Sequence, residues 1–259
     1  AADISAEGHR RAMAVCEPGI REYTMEAELN YAFMRGGSRA PAYNSIVAAG
    51  ENACILHYDR NDAEVKDGDL ILIDAGCEYH YYASDITRTF PANGTFDPQQ
   101  RAIYELVLAA QDAAIAAVQP GAAWNEPHDA SVKVITQGLI KLGLIEGTLA
   151  QALKAEAYRD FYMHRVGHWI GIDVHDVGDY KIDDAWRLLE PGMVTTIEPG
   201  IYIAPDNKNV PKKWRGIGVR IEDDVLVTKK GNRVLTTGIP KTVDEIETFM
   251  AQAKLERAA

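Results

Sequence analysis

Apolar residues recur with a helical period over residues 1–35, where Ala12, Met13, Val15 and Cys16 lead up to a break at Glu17-Pro18-Gly19. A second helix is expected past the break, with Thr24 as its N-cap and Glu26 and Glu28 in the next turn. Pro41 to Gly50 reads as loop, and Leu70–Asp74 and Ser84–Phe90 read as strands. Ile103, Leu106, Val107 and Ala110 predict a helix from Gln100 to Val118, stopped by Pro120-Gly121. Ser131–Leu144 predicts another helix, Val194–Ile197 and Val219–Val227 predict strands, and Val243–Leu255 predicts a closing helix. Helices followed by a hairpin therefore occur twice, each round carrying a Pro-Gly helix end. This order predicts an α+β domain of two pseudo-symmetric halves, with helices covering a curved antiparallel sheet.

A repeated phrase supports the duplication. Asp67-Gly68-Asp69-Leu70-Ile71-Leu72-Ile73-Asp74-Ala75-Gly76 and Pro191-Gly192-Met193-Val194-Thr195-Thr196-Ile197-Glu198-Pro199-Gly200 share one plan. In each, a turn glycine precedes an apolar run that ends in Ile and then a carboxylate. A carboxylate at the end of a buried strand is costly unless its charge is compensated. Two such acids imply that both halves deliver charge to one place.

Asp85 is the expected partner of Asp74. A hairpin centred between Tyr79 and His80 would set the two directly opposite, with Cβ atoms about 5 Å apart. Such a pair needs a shared proton or a bridging cation. Glu222 is a second acid in a β-rich segment, whereas Asp223 and Asp224 read as solvated acids at a strand edge. Three of the seven histidines, His164, His168 and His175, fall within twelve residues. In an unbroken strand His168 and His175 would face opposite ways. Four carboxylates with one or two imidazoles and no thiolate form a hard donor set suited to Mn²⁺, Fe²⁺, Co²⁺ or Zn²⁺. Four negative charges balance two divalent cations, so a dinuclear centre is expected.

Composition narrows the setting. The 259 residues, 47% of them apolar, fit a soluble globular chain. A net charge of -11 argues against non-specific nucleic-acid binding. No apolar run reaches the ~18 residues of a membrane span, and no signal peptide is visible. Three cysteines without C-x-x-C spacing point to a reducing, cytoplasmic compartment.

These motifs resemble those of the catalytic domain of Xaa-Pro aminopeptidase (aminopeptidase P), one of the pita-bread metallopeptidases. The resemblance rests on Asp74-Ala75-Gly76 with Ser84-Asp85-Ile86-Thr87-Arg88-Thr89-Phe90, and on His164-x-x-x-His168-Trp169-x-Gly171-x-Asp173-Val174-His175-Asp176. It rests also on Ile197-Glu198-Pro199-Gly200 and Gly218-Val219-Arg220-Ile221-Glu222-Asp223-Asp224, and it runs from about residue 5 to 250. The resemblance implies that Asp74 chelates one metal, that Asp85 and Glu222 bridge two, and that His168 and Glu198 complete the second. It implies two divalent ions, Mn²⁺ first among Co²⁺, Zn²⁺ and Fe²⁺. His57 and His175 are expected to contact substrate or the tetrahedral intermediate, and Arg220 to support them. His164 is expected beside the proline, with Tyr202 lining the pocket. His9, His80 and His128 match no functional position and are expected at the surface.

The implied reaction is attack of a metal-bridging hydroxide on the first carbonyl of a peptide whose second residue is proline. Because proline has no amide N–H, selectivity must come from a pocket shaped for its ring. Neither nucleic acid nor membrane is an expected partner, and a homo-oligomer is expected of the full-length protein. The chain begins where the family's catalytic domain begins, so residues 1–259 are expected to be one catalytic domain, a piece of a longer polypeptide without the family's N-terminal domain. Prolidase, which cleaves Xaa-Pro dipeptides, is the nearest alternative. Methionine aminopeptidase and a non-catalytic pita-bread binding module are further ones.

Overall fold

Helices α1 (Ala2–Val15) and α2 (Glu22–Arg35) pack together on either side of the Pro18-Gly19 turn, as the periodicity predicts. Helix α2 starts two residues before the expected cap at Thr24. The reason is Glu22, fully buried in the first turn, whose carboxylate accepts from Ala49 N, Ala63 N, Asn52 Nδ2 and the Tyr58 hydroxyl at 2.7–2.9 Å. An acid in the first turn also suits the helix dipole. The computed structural model describes residues 1–258.

The first sheet follows. Strand β1 (Ala40–Pro41) reaches the first residue of the stretch read as loop and β2 (Ile46–Ala49) lies inside it, so that reading is corrected. β2 pairs with β3 (Leu70–Asp74), and after β4 (Cys77–Glu78), itself paired with β1, β3 also pairs with β5 (Thr87–Pro91). The hairpin register differs from the symmetric one expected. Asp74 lies opposite Thr87, not Asp85, and Tyr79 bridges Tyr82. His80 (φ 52°) and Tyr81 (φ 66°) both occupy the left-handed region, the φ signature of a two-residue type I′ turn, which moves the hairpin axis by one residue. Strand partners shift by two, so Asp85 stays on the face of Asp74 but diagonal to it.

Helices α3 (Pro98–Ala117), α4 (Glu126–Lys141) and the short α5 (Leu149–Lys154) open the second half. Helix α3 is started by a capping box: Asp97 Oδ1 accepts from Gln99 N and Gln100 N, and Gln100 Oε1 accepts from Asp97 N. A small hairpin, β6 (Lys181–Ile182) with β7 (Ala185–Trp186), precedes β8 (Val194–Ile197), β9 (Gly200–Ile203), β10 (Ile217–Arg220), β11 (Asp223–Thr228) and β12 (Gly231–Val234). β11 lies between β8 and β12, and β9 pairs with β10. Helix α6 (Val243–Ala258) closes the chain, contacting α1 and α3.

The single strand expected over Val219–Val227 is two strands, interrupted at Ile221-Glu222. There the chain turns to the other half: Glu222 N donates to Thr87 O at 3.0 Å, and Thr89 Oγ1 donates to Arg220 O at 2.9 Å. The two halves are thus joined along β5 and β10.

Asp223 and Asp224, read as solvated, are 1% and 3% exposed. Asp223 is the anion of a buried network. Its Oδ1 accepts from Arg88 Nη2 at 2.8 Å and Thr236 Oγ1 at 2.7 Å, and its Oδ2 accepts from Gln111 Nε2 and Lys241 Nζ. Arg88 also donates to Glu222 O at 2.7 Å and Thr87 O at 3.0 Å. Burial pushes the Asp223 carboxyl up, but the charges of Arg88 and Lys241 outweigh it and hold it below its usual value. His9 and His128, expected at the surface, are buried as well. His9 Nε2 lies 2.8 Å from Ala75 O, and burial drives its pKa down to about 4. No helix among the described residues is long and apolar enough to cross a membrane.

Candidate metal centre

The ends of the strands converge where the halves meet. Asp74 ends β3, Asp85 precedes β5, Glu198 follows β8 and Glu222 lies between β10 and β11. The segment 166–170 runs beside β8, with Glu198 N donating to Val166 O and Thr196 N to His168 O, which sets His168 next to Glu198. Gly167 makes that approach feasible, since a Cβ there would stand 1.9 Å from Thr196 O. All five predicted ligands line one cavity of about 1010 Å³, together with His57, His164, His175 and Arg220. Tyr202 lies behind the wall, bonded to His164.

The distances are those of a site assembled for a cation. Asp85 Oδ2 is 3.3 Å and Glu198 Oε1 3.7 Å from His168 Nε2. One donor atom each from Asp85, His168 and Glu222 lies within 4.8 Å of the others. Nδ1 of His168 is 2.9 Å from the Trp169 carbonyl; donating there leaves Nε2 as the nitrogen aimed at the carboxylates. Glu222 Oε2 accepts from Thr87 Oγ1 at 2.6 Å.

Tyr43, in the stretch read as loop, was not found from sequence. Its hydroxyl lies 2.6 Å from Asp74 Oδ1 and 2.5 Å from Asp85 Oδ1. One hydroxyl hydrogen cannot serve both oxygens, so the pair is short of positive charge or protons. A divalent cation among these carboxylates and one imidazole supplies what is missing, so the residues present fit such an ion.

The electrostatics carry the same strain. Burial, then repulsion from Asp85, Glu198 and Asp74, pushes the Glu222 carboxyl well above its ordinary range. Burial raises Glu198 to about 7. Asp74 is raised, by burial first, though Arg220 opposes it through a 2.6 Å bond from Nη2. Asp85 is also pushed up by burial, but His168 first, with Tyr43 and Arg220, outweighs that and holds it low. Burial lowers His168, and the hydrogen bond and charge of Asp85 with the charge of Glu198 raise it to about 9.

Arg220 organises the floor of the site. Nη2 holds Asp74, Nη1 donates to the Tyr202 hydroxyl at 2.9 Å, and Nε donates to Thr87 Oγ1 at 3.2 Å. Having accepted from Arg220, Tyr202 can donate to His164 Nε2 at 2.9 Å, while His164 Nδ1 donates to Arg165 O at 2.8 Å. Burial lowers the His164 pKa to about 3 and so keeps the ring neutral, while this relay fixes which nitrogen carries the hydrogen. The expectation that His168 and His175 face apart does not hold. Gly171 N bonds to Asp173 O and Asp176 N to Trp169 O, so the chain loops back and the two rings meet at 4.2 Å and 71°. His57 is exposed at the cavity rim.

Comparison with known proteins agrees with this geometry. A sequence model of Metallopeptidase family M24 matches residues 1–229. The chain is 50% identical to the Xaa-Pro aminopeptidase of Escherichia coli K12, over 98% of this chain and 57% of that protein. It is 52% identical to the Xaa-Pro aminopeptidase of Haemophilus influenzae, over 96% of this chain and 58% of that one. The solved structure of Pseudomonas aeruginosa aminopeptidase PepP superposes with a TM-score of 0.98 at 66% identity, covering 98% of this chain and 58% of that chain. This chain therefore spans somewhat more than half the length of these relatives, and its fold is the pita-bread fold of aminopeptidase P. Sequence, fold and the converging acids lead to one assignment: the chain belongs to metallopeptidase family M24.

Proposed function

We propose that residues 1–259 form the catalytic domain of an aminopeptidase that removes the first residue from peptides with proline second, using two divalent metal ions, Mn²⁺ foremost. The observation that carries this reading is the convergence of Asp74, Asp85, His168, Glu198 and Glu222 on one cavity, with donors too few for their charge. In this reading Asp74, Asp85, His168, Glu198 and Glu222 would hold the ions, with Asp85 and Glu222 shared between the two. Bound there, the ions would supply an acidified water at neutral pH and positive charge opposite a developing oxyanion.

The chain's own groups do the positioning. The acidic cluster attracts the ammonium of a peptide's first residue. Arg220 keeps one oxygen of Asp74 occupied and so orients the other. His164 has both nitrogens engaged, so it offers its ring to the substrate without a free donor or acceptor. A ring presented in that way suits the pyrrolidine of proline, which brings no N–H to bond. His175 and His57 line the same cavity and in this reading would contact a bound carbonyl. Three unpaired cysteines fit a cytoplasmic setting.

A cavity of about 1010 Å³ is at the upper end of the ~300–1,000 Å³ of small-molecule sites, with room beyond a dipeptide. That favours an aminopeptidase over a prolidase. The test is hydrolysis of Arg-Pro-Pro, Ala-Pro and Met-Ala-Ser by metal-supplemented protein, with metal content measured after dialysis. Cleavage of Arg-Pro-Pro above the others is expected. Activity on Met-Ala-Ser alone, or no retained or activating metal, would sink the proposal.

A further inference from the structure

The cavity wall carries a second charged feature that the ligand set does not use. Arg165 directly follows His164, and Lys181 opens the small hairpin β6–β7; both line the cavity. The Arg165 guanidinium carbon lies 5.0 Å from the Trp186 ring centroid, and the Lys181 ammonium 4.5 Å from the same centroid. The two charges are therefore within about 10 Å of each other, one Debye length at ~0.1 M salt. Lys181 and Trp186 face each other in register across the hairpin, and Arg165 Nη2 donates to Asn125 Oδ1. The feature is thus held by two chain segments and a side-chain tether.

What it lacks is an anion. Arg88, Arg220 and Lys241 are each paired with an aspartate, but neither Arg165 nor Lys181 forms an ion pair among the described residues. Two exposed like charges about 10 Å apart repel by only roughly 0.4 kcal/mol in water, so the ring's attraction of about 0.5–1 kcal/mol per cation holds both beside it. An arriving carboxylate would relieve that repulsion and could take a bidentate pair of donors from the Arg165 fork. The cavity thus has the converging acids at its floor and these two cations on its wall, where Asp59 is a further lining carboxylate.

We propose that Arg165, Lys181 and Trp186 form a subsite for a carboxylate on the part of the peptide that follows proline. This rests on the aminopeptidase reading above, in which the amino end lies at the acidic floor. A peptide advances ~3.3–3.6 Å per residue, so the segment past proline leaves the floor for the wall. The carboxylate can be the side chain of an acidic third residue or the free end of a tripeptide. Trp186 takes the apolar stem, and the two cations take the charge.

Equilibrium binding of three leaving-group peptides to the metal-loaded chain, read by calorimetry, tests this. The probes are Pro-Glu-amide, Pro-Gln with a free carboxyl end, and Pro-Gln-amide. At least one of the first two should bind about three- to tenfold tighter than the third, as two partly exposed charge contacts allow. Which one does so identifies the source of the carboxylate. The preference should shrink as salt rises from 0.05 to 0.5 M (roughly a threefold shorter Debye length) and vanish in Arg165→Gln/Lys181→Gln, whose substituted positions are exposed. Equal or undetectable binding of all three peptides, or a preference that survives the double substitution, overturns the subsite. Hydrolysis of Ala-Pro-Gln-amide is scored separately. Its absence with the binding preference intact refutes the aminopeptidase reading alone, and its presence without any preference refutes the subsite alone.

Discussion

Arg88→Met removes the cation at the centre of the buried network behind the site. Arg88 is 1% exposed, and its guanidinium bonds Asp223 Oδ1, Thr87 O and Glu222 O. Breaking a buried ion pair from one side costs about 3–5 kcal/mol, because the remaining charge stays buried. Asp223 keeps Lys241, Thr236 and Gln111, which reduces that cost. Thr87 O keeps the Glu222 amide, but Glu222 O loses its only protein donor among the described residues, adding about 1–3 kcal/mol. The two corrections roughly cancel, so a loss of about 4 kcal/mol is expected. Urea unfolding of chelator-treated protein, followed by tryptophan emission, measures it. The double variant Arg88→Met/Asp223→Leu should recover little of it, because Lys241, Thr236 and Gln111 then lose the acceptor that Asp223 gave them. A loss below about 1 kcal/mol in the single variant would show that Lys241 alone neutralises Asp223 and that the pair does not brace the site.

Further outcomes follow from the same contacts. Asp85→Asn should lower peptide hydrolysis at least about 100-fold with loss of metal, since a neutral amide unbalances the shared site; wild-type kcat at full metal occupancy contradicts it. His175→Ala should lower kcat yet leave metal content unchanged in elemental analysis, because a substrate-facing histidine is not a ligand; a missing ion would reassign it. Gly167→Ala, with every ligand intact, should lose metal because its Cβ would collide with Thr196 O and push His168 off β8. His9 has a folded pKa near 4 against 6.5 unfolded, so its contribution is complete above pH 6.5 and is lost as pH falls towards 4. That amounts to about 3 kcal/mol at the acid end. His9→Gln should flatten this part of the urea stability–pH profile, and an unchanged slope would disprove the assignment.

The helices and the acids that converge on the cavity were legible because each is written locally. Pro18-Gly19 and Pro120-Gly121 mark helix ends, and the two strand–acid phrases mark Asp74 and Glu198. What was missed depends on partners far along the chain. Ile46–Ala49 is buried on both faces, so no alternation betrays it as a strand, and Tyr43 beside it looked like loop. Asp223 was read as solvated because acids usually are; only the fold shows Arg88, distant in sequence, at its side. The hairpin register turned on His80 and Tyr81 adopting positive φ, which neither residue type announces. The return of His175 to His168 depended on the loop between them, which strand parity could not anticipate.

The seam between the halves also bears on how the molecule comes to exist. Arg220 and Asp74, 146 positions apart, must meet before the floor of the site is formed. Closing so long a loop is paid entropically ahead of any reward, which places these contacts among the slow ones. Asp74 and Asp85 come from one half and His168, Glu198 and Glu222 from the other, so full assembly of the site is expected to follow the joining of β5 to β10. Ion uptake by refolding protein would then time the union of the halves, lagging the appearance of helix by circular dichroism.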